Sequence, residues 1–539
     1  SQLSCGAPAA YFLGIAYSQK TATRSRYEAP DSLDKTEQLK RLRDPTGTAF
    51  QASFPSRRAS SPTSATAGSA ETSNFAAIPA FAWLADMRGL EDFVMMGTQT
   101  APTQLFYDFD LERHVPSGHM LREIDLFLDV DGMREALRPF YSHLGRPSID
   151  PELIIRMLVI GYVMGIRSER RLCDEVHLNL AYRWFCRLGL EGKVPDHSTF
   201  SRYRHGKFRD SNLLRQIFEA TVERCLREDL VSGEGFAVDA SLISADANKA
   251  RSIAAKDWSP EVAREAGNRA AREYLETLDD AAFGAASPTQ PKFVAKSDPA
   301  AQWTRAEESR PYFAYATNYL IDTKSSVIMD VEATRAIRQA EVGASRIMLD
   351  RTEKRSGIRP DWLAADTAYG NAENRGWLVE QRSIIPFIPV IDKSERTDGT
   401  WSRSDFEWDE ANDQYICPEG HALKQYRRNY SDPNRGQDTG GRKKYRALKA
   451  TCQACPSKEI CCPKAEARYV TREPHEEARE FARECRKTKA YKVSRDKRKK
   501  VEMLFAHLKR ILGLNRLRLR GPNGAKDEFL LAAIAQNLR

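Results

Sequence analysis

FAVDASLISAD, residues 236–246, is the stretch that decides the fold of this chain. Its first half is a short apolar run with a β-branched residue, which is typical of a buried strand. Before it, apolar residues recur at helical spacing. After it, short apolar runs are separated by turns and a helix. We therefore place the change from a helical region to an α/β region at about residue 231.

The region before this strand is predicted to be helical. Three segments have apolar positions at three- and four-residue spacing: IDLFLDVDGMREALRPFYSHL, SIDPELIIRMLVIGYVMGI and SERRLCDEVHLNLAYRWFCRL. Pro151 and Ser168 stand where helices begin. We predict an all-α DNA-binding domain over residues 106–230.

A short basic helix follows in VPDHSTFSRYRHGKF, residues 194–208. Asp196 is placed to cap it, and Arg202 and Arg204 are its candidate DNA-binding residues. A capped basic helix behind two apolar helices is consistent with a helix-turn-helix reader. The alternative is an ordinary helical bundle with a charged edge.

The region after residue 231 is predicted to be a mixed sheet covered by helices. Four runs are predicted strands, PYFAYATNYLID, SSVIMDVEATRA, DWLAADTAYG and SIIPFIPVI, and GASRIMLDRTEKRSG is a predicted helix. Two insertions interrupt this domain of residues 231–539: a charged, helical one at about 245–305 and a Cys-rich one at about 392–469.

Composition limits the class of protein. The 539 residues are 41% hydrophobic and 29% charged with a mean hydropathy of -0.57, which favours a soluble, cytoplasmic chain over a membrane protein. Residues 1–95 include a Ser/Ala/Thr-rich stretch and are expected to be disordered, or to be upstream sequence read from a misassigned start before Met96. The net charge is +9, and residues 483–520 hold fifteen Lys or Arg against three acids. That concentration fits a polyanionic partner or a solvated helix face.

Three acidic residues are candidates for an active site. Asp239 lies within the apolar strand, where an unpaired carboxylate is costly to bury. Asp366 follows the apolar start of DWLAADTAYG, and strand ends commonly form active sites in α/β proteins. Glu502 lies at the edge of a predicted buried helix face formed by Val501, Leu504, Phe505, Leu508, Ile511 and Leu512. Taken singly, each Asp could be a turn former, and Glu502 could belong to a salt-bridged helix surface.

The Cys-rich insertion holds the other candidate metal ligands. Cys417 is followed by the CxxC pair Cys452 and Cys455 and then by Cys461 and Cys462. Four thiolates could hold a structural Zn²⁺ tetrahedrally, and we name Cys417, Cys452, Cys455 and Cys461 for that role. Reduced thiols without metal are the equal alternative.

Several of these motifs, in this order, resemble the DDE transposases of bacterial insertion sequences, in the branch with a Cys-rich insertion. FAVDASLISAD is similar to the strand of the first Asp, LAADTAYGN to that of the second, and RKKVEMLFAHLKRILGLNRLRLRG to the Glu helix. One branch has Tyr, Arg, Glu and Lys on that helix; Arg498, Glu502 and Lys509 fit its spacing, whereas the Tyr position holds Arg495. The resemblance runs from about Phe106 to the end.

The resemblance implies a ribonuclease H-like catalytic domain and a Mg²⁺- or Mn²⁺-dependent enzyme. It implies that Asp239 bridges two metal ions and that Asp366 and Glu502 each favour one of them, since Mg²⁺ prefers oxygen ligands. Arg498 and Lys509 would hold DNA phosphates. The expected partners are double-stranded DNA, as element ends and target, and further copies of the chain in a dimer or larger synaptic assembly.

Two other functions remain open. The chain could be a DNA-binding regulator or an inactive domesticated relic that keeps the helical and basic regions without catalysis. It could also be a nuclease that hydrolyses DNA without joining strands, because the same metal pair would serve either reaction.

Overall fold

The structure is a computed structural model that describes residues 109–539 except 143, 145–146, 266, 288–290, 306–309, 391–397, 426–436 and 439–440. The predictions for residues 1–95 therefore lie outside the described residues. The described chain divides into two compact units. Unit A contains Glu234–Phe236 and Pro360–Arg498, and unit B contains residues 109–233, Ala237–Arg359 and Lys499–Arg539.

The elements of unit B before residue 228 are helices. They are α1 (Leu111–His114), α2 (Met120–Phe127), α3 (Met133–Leu137), α4 (Pro151–Val163), α5 (Glu169–Leu178), α6 (Leu180–Phe185), α7 (Ser198–His205), α8 (Lys207–Asp210) and α9 (Leu213–Arg227). Two predicted helix starts are confirmed. Pro151 is the first residue of α4, where its missing N–H costs nothing, and the Ser168 hydroxyl accepts a hydrogen bond from Arg171 N at 3.4 Å at the start of α5.

Unit B also contains most of a mixed, six-stranded sheet. Its strands are β1 (Gly235–Ser244), which begins in unit A, β4 (Gln302–Thr304), β5 (Tyr312–Asp322) and β6 (Ile328–Arg335). β5 lies between β4 and β1 in the strand order; it pairs in antiparallel fashion with β4 at Tyr312–Ala314 and with β6 at Tyr315–Ile321. The helix α12 (Arg338–Ser356) packs on β5 and β6. β5 and β6 are almost wholly buried, and they carry buried polar residues such as Asn318 and Asp330 among their apolar ones.

The predicted helical insertion at 245–305 is helical only in part. It contains α10 (Pro260–Glu265) and α11 (Arg269–Glu276), but also the antiparallel pair β2 (Ser252–Ala254) and β3 (Phe293–Ala295). These strands are three residues each, too short for a period-two pattern to be recognised in the sequence.

Unit A has two parts. In the first, the Asp361 amide donates to the Glu234 carbonyl at 2.8 Å, so β7 (Trp362–Ala364) lies beside the start of β1, and β7 pairs in parallel with β8 (Ile385–Phe387). α13 (Ala372–Gly376) and a π-helical turn connect these two strands. The predicted strands and the predicted helix after residue 231 are thus all present, and the α/β class with a mixed sheet is confirmed.

The second part of unit A is the Cys-rich region. It is an antiparallel sheet in chain order, made of β9 (Glu407–Asp409), β10 (Gln414–Ile416), β11 (Ala422–Gln425), β12 (Lys443–Arg446) and β13 (Tyr469–Arg472). α14 (Lys449–Gln453) and α15 (Lys458–Cys461) lie between the last two strands, and α16 (Glu476–Arg486) follows.

Two long helices end the chain, α17 (Lys489–Arg510) and α18 (Gly521–Leu538). The predicted buried face of α17 is confirmed at Val501, Phe505 and Leu508, which are at most 7% exposed, and Leu512, just after the helix, is buried as well. Ile511 is 52% exposed, so its assignment to that face is wrong. The reason is that α17 ends at Arg510, and helical spacing no longer holds beyond it. No helix among the described residues is long and apolar enough to cross a membrane.

Candidate active site

Asp239 lies in the middle of β1, in unit B. The residues before it, from Gly235 to Val238, are buried, whereas Asp239 and the three residues after it are half-buried. Its Oδ1 accepts a hydrogen bond from the Ala240 amide at 2.8 Å. The strand therefore leaves its core at this position and brings a carboxylate to a partly solvated place, where a charged oxygen is not costly to keep.

Asp366 lies in unit A, two residues after β7. It is the N-cap of the 3-10 turn Thr367–Tyr369, and its Oδ1 accepts from the Ala368 amide at 2.8 Å. This is the turn-forming role that was the alternative for a single Asp at a strand end. A capping carboxylate still has a second oxygen, so the two roles are compatible.

Glu502 projects from α17 in unit B, next to Val501, which is fully buried. Its side chain is exposed. One turn earlier, Arg498 is half-buried. Seven residues later, Lys509 is half-buried, and burial lowers the pKa of its ammonium group. In the described part of the chain Lys509 makes no ion pair, so an anion brought to it would gain more than at a solvated lysine.

The end of β1 is joined to the chain after α17 within unit B. Ser244 N donates to the Asn515 carbonyl at 3.2 Å, and Leu517 N donates to the Ser244 carbonyl at 2.8 Å. Arg516 and Arg520 pair with Asp246 at 2.6 and 2.8 Å. Asp246 thus anchors the basic segment that follows α17 and contains Arg516 and Arg520, and this segment ties the strand of Asp239 to the helix of Glu502.

Gln536 of α18 holds the Glu502 helix against the sheet, and sequence reasoning missed it. Its Oε1 accepts from the Tyr319 hydroxyl of β5 at 2.8 Å, and its Nε2 donates to the Leu504 carbonyl of α17 at 2.9 Å. Gln536 is 9% exposed in a helix that is otherwise apolar at this point. A polar residue inside an apolar run was the available signal, because buried amides need partners.

Glu528, also in α18, holds the basic segment after α17 in place. It is 1% exposed, accepts from the Arg518 and Leu519 amides at 2.6 and 2.7 Å, and pairs with Arg167, which is likewise buried. Both partners are buried, so removing either would leave an uncompensated charge.

One predicted DNA-binding residue is wrongly placed. Arg202 is exposed on α7, as expected. Arg204 is 4% exposed and its Nη1 lies 2.7 Å from a Glu169 carboxylate oxygen, so it does not belong to an exposed basic side. The physical reason is that Arg204 lies on the buried face of α7 beside Phe200 and Tyr203, where Glu169, 30% exposed, pairs with its charge.

Four of the thiols in the Cys-rich region share one core. Cys461 and Cys462 are buried with Tyr415, Leu423 and Tyr445, and Cys417 and Cys452 pack against this cluster. Cys455 is outside it. Backbone amides donate to two sulfur atoms, His421 N to Cys417 Sγ at 3.3 Å and Arg468 N to Cys452 Sγ at 3.4 Å.

Burial raises the pKa of Cys461 to about 12, with the neighbouring Cys462 adding to it. Without a cation that thiol stays protonated at neutral pH. Within each unit, the described residues contain no group of three or more His, Cys, Asp or Glu side chains placed to hold a metal ion.

Comparison with known proteins defines the class. A transposase domain (DUF772) model matches residues 109–206, and a transposase DDE domain model matches residues 416–539. The chain is therefore a transposase. Its second match, which includes α17 and Glu502, makes it a DDE-type transposase.

A solved structure of a piggyBac transposase synaptic complex with hairpin DNA is also similar, at 10% identity and a TM-score of 0.31, over 78% of this chain and 74% of that chain. Similarity at this level does not define a shared fold.

Proposed function

We propose that this transposase binds the ends of its own insertion sequence, cleaves them with Mg²⁺ and joins the freed 3′ ends to target DNA. The observation that carries the proposal is the DDE domain match over residues 416–539, because it includes the helix of Glu502 and the basic segment after it. The mixed sheet, with Asp239 on β1 and Asp366 just after β7, supports a ribonuclease H-like catalytic fold.

The three acids supply the ligand chemistry that this reaction needs. Asp239, Asp366 and Glu502 would hold two Mg²⁺ or Mn²⁺ ions, with Asp239 as the shared ligand, since hard cations prefer carboxylate oxygens. Bound ions of this kind stabilise the attacking and leaving oxygens of phosphoryl transfer. Asp239 is half-buried and Glu502 is exposed, so both side chains lie where ions from solvent can reach them.

Arg498 and Lys509 would position the DNA. Both project from the Glu502 helix, and a guanidinium can bind a phosphate through two parallel hydrogen bonds. The half-buried Lys509, with its lowered pKa, would be a short-range contact for a single phosphate oxygen. Double-stranded DNA, as element end and as target, and a dimer or larger synaptic assembly complete the proposal.

We also propose a structural zinc ion in the Cys-rich region, held by Cys417, Cys452, Cys455 and Cys461. The CxxC spacing supports it, as do the two N–H···S hydrogen bonds, which stabilise thiolates. The described thiols do not by themselves form a closed site. Metal analysis should find about one zinc per chain and less in Cys452→Ser. Absence of zinc, with all these thiols reactive in the unfolded protein, would establish reduced cysteines instead.

The central experiment measures strand cleavage and joining on DNA that carries the element ends, for the wild type and Glu502→Gln, with Mg²⁺ or Ca²⁺. We expect joining by the wild type with Mg²⁺ and none by Glu502→Gln, with DNA binding kept in both. Glu484→Gln is the matched control, because Glu484 lies in the same basic stretch and pairs with Lys487 near the surface. Equal activity in wild type and Glu502→Gln would remove Glu502 from the site.

The same assay separates the two rival functions. A wild type that cuts the ends but leaves no joined 3′ products would be a hydrolytic nuclease. Binding of the ends without cutting by any variant would favour a regulator or an inactive relic.

A further inference from the structure

The chain that forms β11 and β12 is the most basic part of the Cys-rich region. Residues 424–449 contain nine Lys or Arg and two Asp, with no Glu. This concentration is separate from the basic stretch at 483–520, so the charge of the DNA-contacting residues proposed above does not account for it.

The sheet places three of these cations, Lys424, Lys444 and Arg446, on the side away from its core. Leu423, Tyr445 and Val470 point into the hydrophobic core and are at most 4% exposed. Because side chains alternate along a strand, their neighbours point outward. The outward residues include Lys424 on β11 and Lys444 on β12, which are both exposed.

The strand register aligns the outward residues in a row. Lys424 is opposite Arg446, and Arg446 is opposite Tyr469. Opposed residues on neighbouring strands lie within about 5.5 Å of each other. We call this side, formed by Lys424, Lys444, Arg446, Lys449 and Tyr469, the basic face.

Acidic residues neutralise little of the basic face. Glu466 pairs with Lys449 at 2.7 Å and with Arg446 at 3.9 Å, and its side chain is 63% exposed. Lys424 and Lys444 make no ion pair in the described part of the chain. Exposed pairs contribute about 0–1 kcal/mol, so they give way readily to a polyanion.

Tyr469 adds an exposed aromatic ring to the cations of the basic face. It is the first residue of β13 and is 59% exposed. Together with Lys444, Arg446 and Glu466 it lines a surface cavity of about 440 Å³. An exposed aromatic side chain beside cations offers an apolar contact and a hydroxyl to a sugar and its phosphate.

We propose that the basic face is a docking surface for duplex DNA that grips the sugar–phosphate backbone without reading its sequence. The inference rests on the proposed function, since it assumes that DNA is the substrate, and it assigns the Cys-rich insertion a share of the binding. Cations aligned on neighbouring strands, as Lys424 and Arg446 are, fit a backbone of regularly spaced phosphates, and charge contacts of this kind carry no sequence information.

The test compares binding of a random-sequence duplex by the wild type and by the triple variant Lys424→Gln, Lys444→Gln, Arg446→Gln, over a range of salt concentrations. Each lost phosphate contact makes the plot of log K against log salt less steep by about 0.9. We therefore expect the slope of the triple variant to be smaller in magnitude by about 2 to 3. Lys354→Gln is the control, because that lysine is exposed on α12 and lies outside both basic stretches. An unchanged slope and affinity in a triple variant with the wild-type circular dichroism would overturn the inference.

Tyr469→Ala and Tyr469→Phe test the basic face without changing its charge. We expect weaker binding for the Ala variant and near wild-type binding for the Phe variant, since most of the contact is the ring. Equal binding by all three proteins would remove Tyr469 from the surface.

Strand joining on element ends distinguishes this inference from the function on which it rests. If the wild type joins DNA while the triple variant binds normally, the docking surface is wrong and the transposase function stands. If the slope decreases while the wild type neither cuts nor joins, the surface is correct and the catalytic proposal fails.

Discussion

Asp298 shows how a single buried carboxyl can govern the pH dependence of stability. It is fully buried, and its two oxygens accept from the Tyr315 hydroxyl at 2.6 Å and from the Gly521 amide at 3.2 Å. Burial raises its pKa from 3.8 to about 6, although these hydrogen bonds act in the opposite direction. The folded chain therefore keeps a proton on Asp298 at pH values where the unfolded chain has lost it.

We predict that the contribution of Asp298 to the free energy of unfolding decreases as the pH rises from about 4 to about 6 and is constant above. The sign follows because the unfolded state binds fewer protons than the folded state over that window. Asp298→Asn does not titrate, so the stability of the wild type relative to this variant should decrease over the same window. Urea unfolding of both proteins at several pH values is the measurement, and a difference that does not change with pH would contradict it.

At the level of elements, the packing of β1 on β7 in unit A depends on Gly235. A β-carbon at this position would lie 1.9 Å from Cζ2 of Trp362, a side chain that is 8% exposed. Glycine is thus required for the close approach of the strand to the indole ring.

We expect Gly235→Ala to destabilise the protein by about 1–3 kcal/mol or more, the usual cost of overpacking a core. Gly343→Ala is the matched control, because an added β-carbon at Gly343, in α12, meets no atom within 4 Å. The control should be neutral or stabilising, since Ala favours a helix. Equal denaturation midpoints for the two variants would show that the indole ring moves away at no cost.

The position of the Glu502 helix depends on an element far away in sequence. Gln536 of α18 joins Tyr319 on β5 to the Leu504 carbonyl, two residues after Glu502. We predict that Gln536→Leu, which keeps the volume, lowers the rate of strand joining about tenfold and leaves DNA affinity unchanged, since about 1.4 kcal/mol in a barrier is tenfold in rate. The measurement is joining at saturating DNA.

Asn537→Leu is the control for this prediction. Asn537 bonds to the backbone of Ile328 on β6 and has no hydrogen bond to α17. It should lose stability without a selective loss of joining rate. The same loss of rate in both variants would mean that α18 acts only through general stability.

At the level of the whole molecule, the two units have separate hydrophobic cores, and we therefore predict unfolding in more than one transition. The buried cluster around Tyr415 and Tyr445 belongs to unit A, and the core around Tyr319 and Phe529 belongs to unit B. β1 and α17 each contribute residues to both units.

We expect calorimetry of the whole chain to depart from two-state behaviour, with a van't Hoff enthalpy below the calorimetric enthalpy. Cys452→Ser should lower only the transition of unit A. A single transition with equal enthalpies would show that the shared strand and helix make the units unfold together.

The sequence by itself determined the features that depend on neighbouring residues along the chain. Helix starts at Pro151 and Ser168, the strand around Asp239 and the buried face of α17 follow from caps and from apolar spacing, and these are local properties. The order of the acidic motifs was also enough to identify a DDE-type transposase, which the two domain matches confirm.

The tertiary structure decided which polar groups serve the fold and which stay available for chemistry. Arg204 pairs with Glu169, Asp246 anchors Arg516 and Arg520, and Gln536 and Glu528 hold segments distant in sequence. Spacing within a short motif cannot predict these roles. The reason is physical: a buried polar group takes the partner that folding brings to it, and that partner is set by long-range packing rather than by the residues beside it.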